Sequence, residues 1–146
     1  METDFPMQDL KVLHVDDDAV DAMKLQRVLK KLNVNHEVKH VVNGNEALSL
    51  MQAEPRYIPN VIILDLNMPG LNGLEFLEML RNDATLRHIT VFILSASDNS
   101  ADIQNAYGLH VAGYFLKPLS TSRYSLVIKR LVEMWAVSEF PGAKRV

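Results

Sequence analysis

Two hydropathy patterns alternate along the chain. Short, nearly continuous apolar runs occur at Leu10–Val15, Asn60–Leu64, His88–Leu94 and Gly113–Leu116. Runs of Val, Ile, Leu and Phe of this length suit strands covered on both faces, as in a parallel sheet. A fifth stretch, His36–Val42, is β-branched but more polar, and reads as a strand nearer a sheet edge. Between the runs, apolar residues recur at three- and four-residue spacing, the signature of amphipathic helices. The stripes are Ala22, Leu25, Val28, Leu29 and Leu32; Ala47, Leu50 and Met51; Leu74, Leu77 and Leu80; Ile103, Ala106 and Tyr107; and Tyr124, Val127, Ile128, Leu131 and Trp135. Gly108 reads as a helix stop. The order is strand then helix, five times over. Right-handed crossovers turn that order into an α/β doubly wound parallel sheet with helices on both faces.

In such sheets ligands bind beyond the carboxyl ends of the strands. The residues that close the four apolar runs are Asp16-Asp17-Asp18, Asp65, Ser95 and Lys117. Carboxylates, a hydroxyl and a cation are thus delivered to one edge. Carboxylates gathered in one place repel one another unless a cation neutralises them. Mg²⁺ takes oxygen ligands and keeps positions for water and phosphate oxygens. Asp16, Asp17 and Asp65 supply such ligands, with the carbonyl of Asn67 a further one. Lys117 supplies a point charge suited to phosphate, and Ser95 a hydroxyl. The set suits phosphoryl transfer, in which catalysis is mostly positioning and charge neutralisation. An aspartate can itself be the nucleophile. The competing reading is helix capping. It is preferred for Asp18, but not for Asp65, which precedes the turn sequence Leu66-Asn67-Met68-Pro69-Gly70.

The four segments Val15-Asp16-Asp17-Asp18, Leu64 to Gly73 (LDLNMPGLNG), Ile93-Leu94-Ser95-Ala96 and Gly113 to Pro118 (GYFLKP) resemble the receiver domain of bacterial two-component response regulators. The resemblance spans residues 9 to about 135. The gaps of thirty residues from Asp65 to Ser95 and twenty-two from Ser95 to Lys117 fit the family. It implies the flavodoxin-like, CheY-like sheet order 2-1-3-4-5. It makes Asp65 the phosphoacceptor, with Lys117 and Ser95 acting on the phosphoryl group. Asp16, Asp17, Asp65 and Asn67 place Mg²⁺, and Ser95 with Tyr114 forms the switch. A cis peptide is expected before Pro118. The implied partner is a sensor histidine kinase. The implied output is a changed protein-binding surface rather than turnover of a substrate: the chain catalyses only its own phosphorylation and dephosphorylation.

The stretch from Tyr107 to Lys117, with Trp135, is similar to stand-alone regulators associated with phytochrome-like kinases. That likeness implies a homodimer through the face of the fourth and fifth helices, with Trp135 and Phe140 either in the interface or packed on their own domain. A phosphorelay shuttle, passing phosphate to a histidine phosphotransfer protein, is the alternative output. Ser97 and Asn67 fall where family members vary, at positions thought to tune the lifetime of the acyl phosphate. The stretch Gln52–Pro59 is longer than in minimal receivers.

The chain has 146 residues, no cysteine and a formal charge of −3. That excludes disulfide scaffolds, Cys-ligated metals and thiol chemistry. Lys and Arg are dispersed, which argues against direct DNA binding. No apolar stretch approaches the roughly 20 residues of a membrane span, and no signal peptide is evident, so a cytoplasmic location is expected. The organisation expected is an N-terminal extension (1–8), a receiver (9–136) and a C-terminal tail (137–146).

Two other chemistries are weighed. His36-Glu37-Val38-Lys39-His40 spells the zinc-protease motif H-E-x-x-H, which needs a helix. In a strand its two histidines lie roughly 13 Å apart. An aspartyl-phosphate phosphatase needs an acid two residues after its nucleophile, where this chain has Asn67. A metal-dependent hydrolase is therefore disfavoured on both counts.

Overall fold

A computed structural model describes residues 10–68 and 70–139. The expected extension (1–8), most of the expected tail, including Phe140, and Pro69 lie outside the described residues. Five strands and five helices alternate: β1 (Leu10–Val15), α1 (Ala19–Lys31), β2 (His36–Val41), α2 (Gly44–Gln52), β3 (Val61–Leu64), α3 (Gly73–Asn82), β4 (Thr90–Ser95), α4 (Ser100–Gly108), β5 (Gly113–Leu116) and α5 (Thr121–Val137). All the strand pairs are parallel, in the order β2-β1-β3-β4-β5. The fold class and strand order are those expected from the sequence.

The pleat sorts each strand's residues between two cores. Leu13, Val15, Ile62, Leu64, Val91 and Ile93 face α2, α3 and α4, where they meet Ala47, Met51, Phe76, Leu77 and Leu80. Leu10, Val12, Val61, Ile63, Phe92 and Leu94 face α1 and α5, where they meet Leu25, Leu29, Tyr124, Ile128, Val132 and Trp135. Covering both faces explains why these strands read as continuous apolar runs. The polar β2 is an edge strand, and its H-E-x-x-H segment is extended. His36 Nδ1 donates to Val34 O (2.8 Å), while His40 Nε2 donates to Asp16 O (2.6 Å). Each histidine serves a different carbonyl.

Several local expectations are corrected. β3 starts at Val61 because Asn60 brackets Lys11 instead, its amide N–H donating to Lys11 O and its Oδ1 accepting from Lys11 N. β4 starts at Thr90, since Ile89 N closes a turn on Leu86 O. Gly108 is the last residue of α4 rather than a stop beyond it. Leu109 caps the helix, and the left-handed conformation falls on His110, at φ 63°. In the stripe of α4 only Ala106 is buried; Tyr107 is half exposed. A nine-residue helix beside the edge strand β5 has room for only a narrow buried seam. Trp135 is 1% exposed and sits in the core of its own domain.

Candidate functional site

The topological switch lies between β1 and β3, which are neighbours in the sheet although β2 separates them in sequence. Three backbone bonds carry the ladders one step past the strand ends. Asp16 N donates to Val41 O, Asp65 N to Val15 O and Lys117 N to Ser95 O, at 3.0, 3.0 and 2.8 Å. The chemistry-bearing residues therefore leave the sheet already in register. Gly73 lets the start of α3 close over this edge. A Cβ there would stand 2.5 Å from Leu66 Cα and 2.8 Å from Asp65 O. Asp18 is the N-cap of α1, its Oδ1 accepting from Val20 N, which is the role read from the sequence.

Asp16, Asp17 and Asp65 each bring a carboxylate oxygen within 4.8 Å of the others. Asp16 and Asp65 are buried, whereas Asp17 is exposed. Lys117 Nζ donates to Asp21 Oδ2 (2.7 Å), Asp16 Oδ2 (2.9 Å) and Asp65 Oδ2 (3.4 Å). Three N–H groups of one ammonium thus meet three carboxylates from three elements. Burial works against the Asp16 charge, yet bonds from His14, Lys117 and the Asp18 N–H hold its carboxyl well below the usual range. Burial pushes Asp65 up, and the charge on Asp16 adds to this; the Asn67 N–H and Lys117 offset it only in part. Burial also works against the Lys117 charge, but bonds to Asp21 and Asp16 outweigh it and hold the ammonium firmly charged. Four carboxylates here face one lysine, and every donor to a cation is oxygen. That charge excess and hard donor set fit a divalent ion such as Mg²⁺ or Mn²⁺.

Asn67 N donates to Asp65 Oδ1 (3.0 Å), and Asn67 Nδ2 to Ser95 Oγ (3.4 Å). Ser95, fully buried, also accepts from Ser97 N (3.2 Å). Ser97 Oγ donates to Asp102 Oδ2 on α4 (2.7 Å), and Tyr114 OH donates to Ser97 O (2.7 Å). A chain of contacts therefore runs from Asp65 through Asn67 and Ser95 to the β4–α4 loop, with Tyr114 fastened to that loop. The peptide before Pro118 is cis, as expected.

Six of the seven residues singled out in the sequence (Asp16, Asp17, Asp65, Asn67, Ser95 and Lys117) lie at this edge, and the seventh, Tyr114, sits in β5 with its hydroxyl on the β4–α4 loop. Three others were missed. Asp21 pairs with Lys117, and its signal was its place one helical turn beyond Asp18. His14 is buried with Nε2 3.6 Å from Asp16 Oδ2, and its ring lies 5.7 Å from that of His40. A histidine inside an otherwise apolar strand was the signal there. His40 supports Asp16 through its carbonyl, a contact that only strand pairing could reveal.

Known proteins are similar to this chain in sequence and in fold. Residues 12–129 match the response regulator receiver domain. The chain is similar to the response regulator Rcp1 of Synechocystis sp., with 30% identity over 128 residues, 85% of this chain and 87% of that protein. Among solved structures, the phosphorylated cyanobacterial phytochrome response regulator RcpA superposes with a TM-score of 0.84 at 34% identity, covering 92% of this chain and all of that one. A Mn²⁺-bound form of Rcp1 superposes with a TM-score of 0.81 at 29% identity, covering 90% and 99%.

Proposed function

Because this chain belongs to the response regulator receiver domain family, whose general function is phosphorylation on an aspartate by a kinase, we propose that Asp65 is its phosphoacceptor. The observation that carries the reading is the convergence of Asp16, Asp17 and Asp65 within 4.8 Å, with Lys117 Nζ 3.4 Å from Asp65 Oδ2. An Asp65 oxygen attacks the phosphorus of a kinase phosphohistidine. The new O–P bond forms as the P–N bond breaks, and the imidazole leaves. Lys117 neutralises charge on the transferring oxygens, and the Ser95 hydroxyl turns from its Ser97 N–H donor to donate to one of them. Asp16, Asp17, Asp65 and the Asn67 carbonyl would hold Mg²⁺, which supplies charge neutralisation for the phosphoryl oxygens.

The acyl phosphate adds about −1.5 to −2 charge and three strong acceptors. Ser95 leaves the loop contact that Ser97 N makes to it, and Tyr114 exchanges its bond to Ser97 O for the vacated space. The surface of α4, β5 and α5 is reshaped as a two-state element biased by local charge. That surface already carries exposed apolar groups, Tyr107, Leu116 and Met134. They support a homodimer, or docking of a downstream protein, on this face. Trp135, being buried in its own core, takes no part. The likeness to RcpA and Rcp1 supports a phytochrome-like histidine kinase as the donor and a cytoplasmic setting. No helix among the described residues is long and apolar enough to cross a membrane. The receiver is assigned to residues 9–136, which takes in β1 to all but the last residue of α5.

The test is incubation with acetyl phosphate and Mg²⁺. One phosphoryl group is gained, and Asp65→Asn, still folded, gains none. An unlabelled wild type would sink the reading. Light scattering with and without beryllofluoride reads the dimer, and phosphate loss to an added histidine phosphotransfer protein reads a shuttle.

A further inference from the structure

The tightest contact of Lys117 is with neither the proposed phosphoacceptor nor a residue of the cation set. It is with Asp21 Oδ2 on the first turn of α1, at 2.7 Å, against 2.9 Å to Asp16 and 3.4 Å to Asp65. The Asp21 side chain is only 15% exposed, so this contact is largely shielded from water. Its other cationic neighbour, Lys24, is 4.0 Å away and half exposed. The Lys117 side chain is itself only 19% exposed, but packing does not close around it on every side. A cleft of about 230 Å³, lined by Asp18, Asp21, Lys24, Leu94, Lys117 and Tyr124, opens beside it. Tyr124 lines that cleft, and its hydroxyl is buried without a hydrogen-bond partner among the described residues. The ammonium therefore has somewhere to go, and charge holds it in place.

We infer that Asp21 is a positioning residue for Lys117, the anchor that keeps its ammonium beside Asp65 when the carboxylates of Asp16 and Asp65 are engaged with a cation. The inference rests on the reading of Asp65 and Lys117 given above and adds a residue to it. Asp16 and Asp65 serve both the lysine and the cation set, so their hold on Lys117 weakens once a cation is bound. Asp21 lies outside that set and keeps its full charge for the lysine. A long, four-carbon side chain loses much of its effectiveness when its terminal charge is free to wander, because transfer depends on near-attack geometry.

The test uses the full chain and four variants: Asp21→Ala, the isosteric Asp21→Asn, Asp21→Glu, and Asp18→Asn. The last removes a charge from the same helix start, one whose carboxylate accepts from Val20 N rather than from the lysine, and keeps the cap. Two quantities are read: labelling rate from acetyl phosphate at saturating Mg²⁺, and Mn²⁺ affinity by calorimetry without phosphodonor. Asp21→Ala labels about tenfold more slowly even at saturating cation. Asp21→Asn falls between it and the wild type, and Asp21→Glu recovers most of the rate. Mn²⁺ binds about threefold more weakly to Asp21→Ala and Asp21→Asn, since Lys117 then leans on the cation ligands. Asp18→Asn matches the wild type in rate. Equal labelling and Mn²⁺ affinity in wild type and Asp21→Asn would overturn the inference while leaving Asp65 as phosphoacceptor. Equal slowing by Asp18→Asn and Asp21→Asn would overturn it as well, showing a general charge effect. A wild type that binds Mn²⁺ but takes no phosphoryl group would overturn the reading of Asp65, and this inference with it.

Discussion

Replacing Lys117 by Met keeps most of the aliphatic stem and removes the ammonium that Asp16, Asp21 and Asp65 share. The cost follows from burial. The Asp16 and Asp65 side chains are 1% and 10% exposed, while Asp21 and Lys117 are at 15% and 19%. Removing one partner of a fully buried pair costs roughly 3–5 kcal/mol, and of an exposed pair roughly 0–1 kcal/mol. This cluster lies nearer the buried limit, so about 2–4 kcal/mol is expected. Protonation sets a ceiling: neutralising one carboxyl of ordinary affinity at pH 7 costs about 4 kcal/mol. For a chain of this size the loss corresponds to a melting point lower by roughly 6–12 °C. The deficit shrinks as pH falls toward 4, where the carboxylates take up protons. Divalent cation competes with the lysine for the same oxygens. Saturating Mg²⁺ therefore stabilises Lys117→Met more than the wild type, about 2.7 kcal/mol being gained at a hundredfold excess over the dissociation constant. Thermal melts with and without Mg²⁺ read both effects. A variant that melts with the wild type in the absence of cation, or gains no more from it, would refute the charge-cluster reasoning.

Three further outcomes are expected. In Gly73→Ala the new methyl meets backbone at Leu66 Cα and Asp65 O. The strain costs about 1–3 kcal/mol in a urea melt and slows phosphorylation, because the loop after β3 has to shift; an unstrained variant would contradict the close packing of α3 on the site. Asp65→Asn is more stable than the wild type at neutral pH, since burial raises the Asp65 pKa and so penalises its charge in the folded state. The sign is that of a raised acid. The penalty is absent below the unfolded value near 3.9 and develops as pH rises through it, so the variant's advantage vanishes in acid; a destabilised Asn variant at pH 7 would count against it. Arg81 donates to four carbonyls, those of Leu109, Arg87, Ile89 and His110, tying α3 to the turns before β4 and β5. Arg81→Ala costs about 2–4 kcal/mol by denaturant titration, against less than about 1 for Arg130→Ala, whose Glu133 pair is exposed; equal effects would refute the four-carbonyl clamp.

Much of this was legible in one dimension. Strands buried on both faces have to be apolar throughout, so β1, β3 and β4 announced themselves, as did the polar edge strand β2; β5 reads as equally apolar but is the other edge, half-covered and with Leu116 exposed, because no further strand pairs with it. In a parallel sheet every strand points the same way. The residues that end the strands, Asp16, Asp65, Ser95 and Lys117, therefore had to arrive at one edge whatever the details of packing. The H-E-x-x-H segment could be set aside by its β-branched setting alone.

The fine architecture of the site depended on distances that no spacing encodes. Lys117 lies ninety-six residues from Asp21 in sequence, and which carboxylate it favours is decided by how α1 packs beside α5. The support of Asp16 by His40 exists because β2 pairs with β1 in register. The exposure of Tyr107 and the burial of Trp135 were likewise tertiary decisions. Both sit on apolar helical stripes, but α4 lies at the edge of the sheet with little to cover it, whereas α5 packs along the length of a core. Periodicity determines which face of a helix is apolar; only the neighbours it meets determine how much of that face is buried.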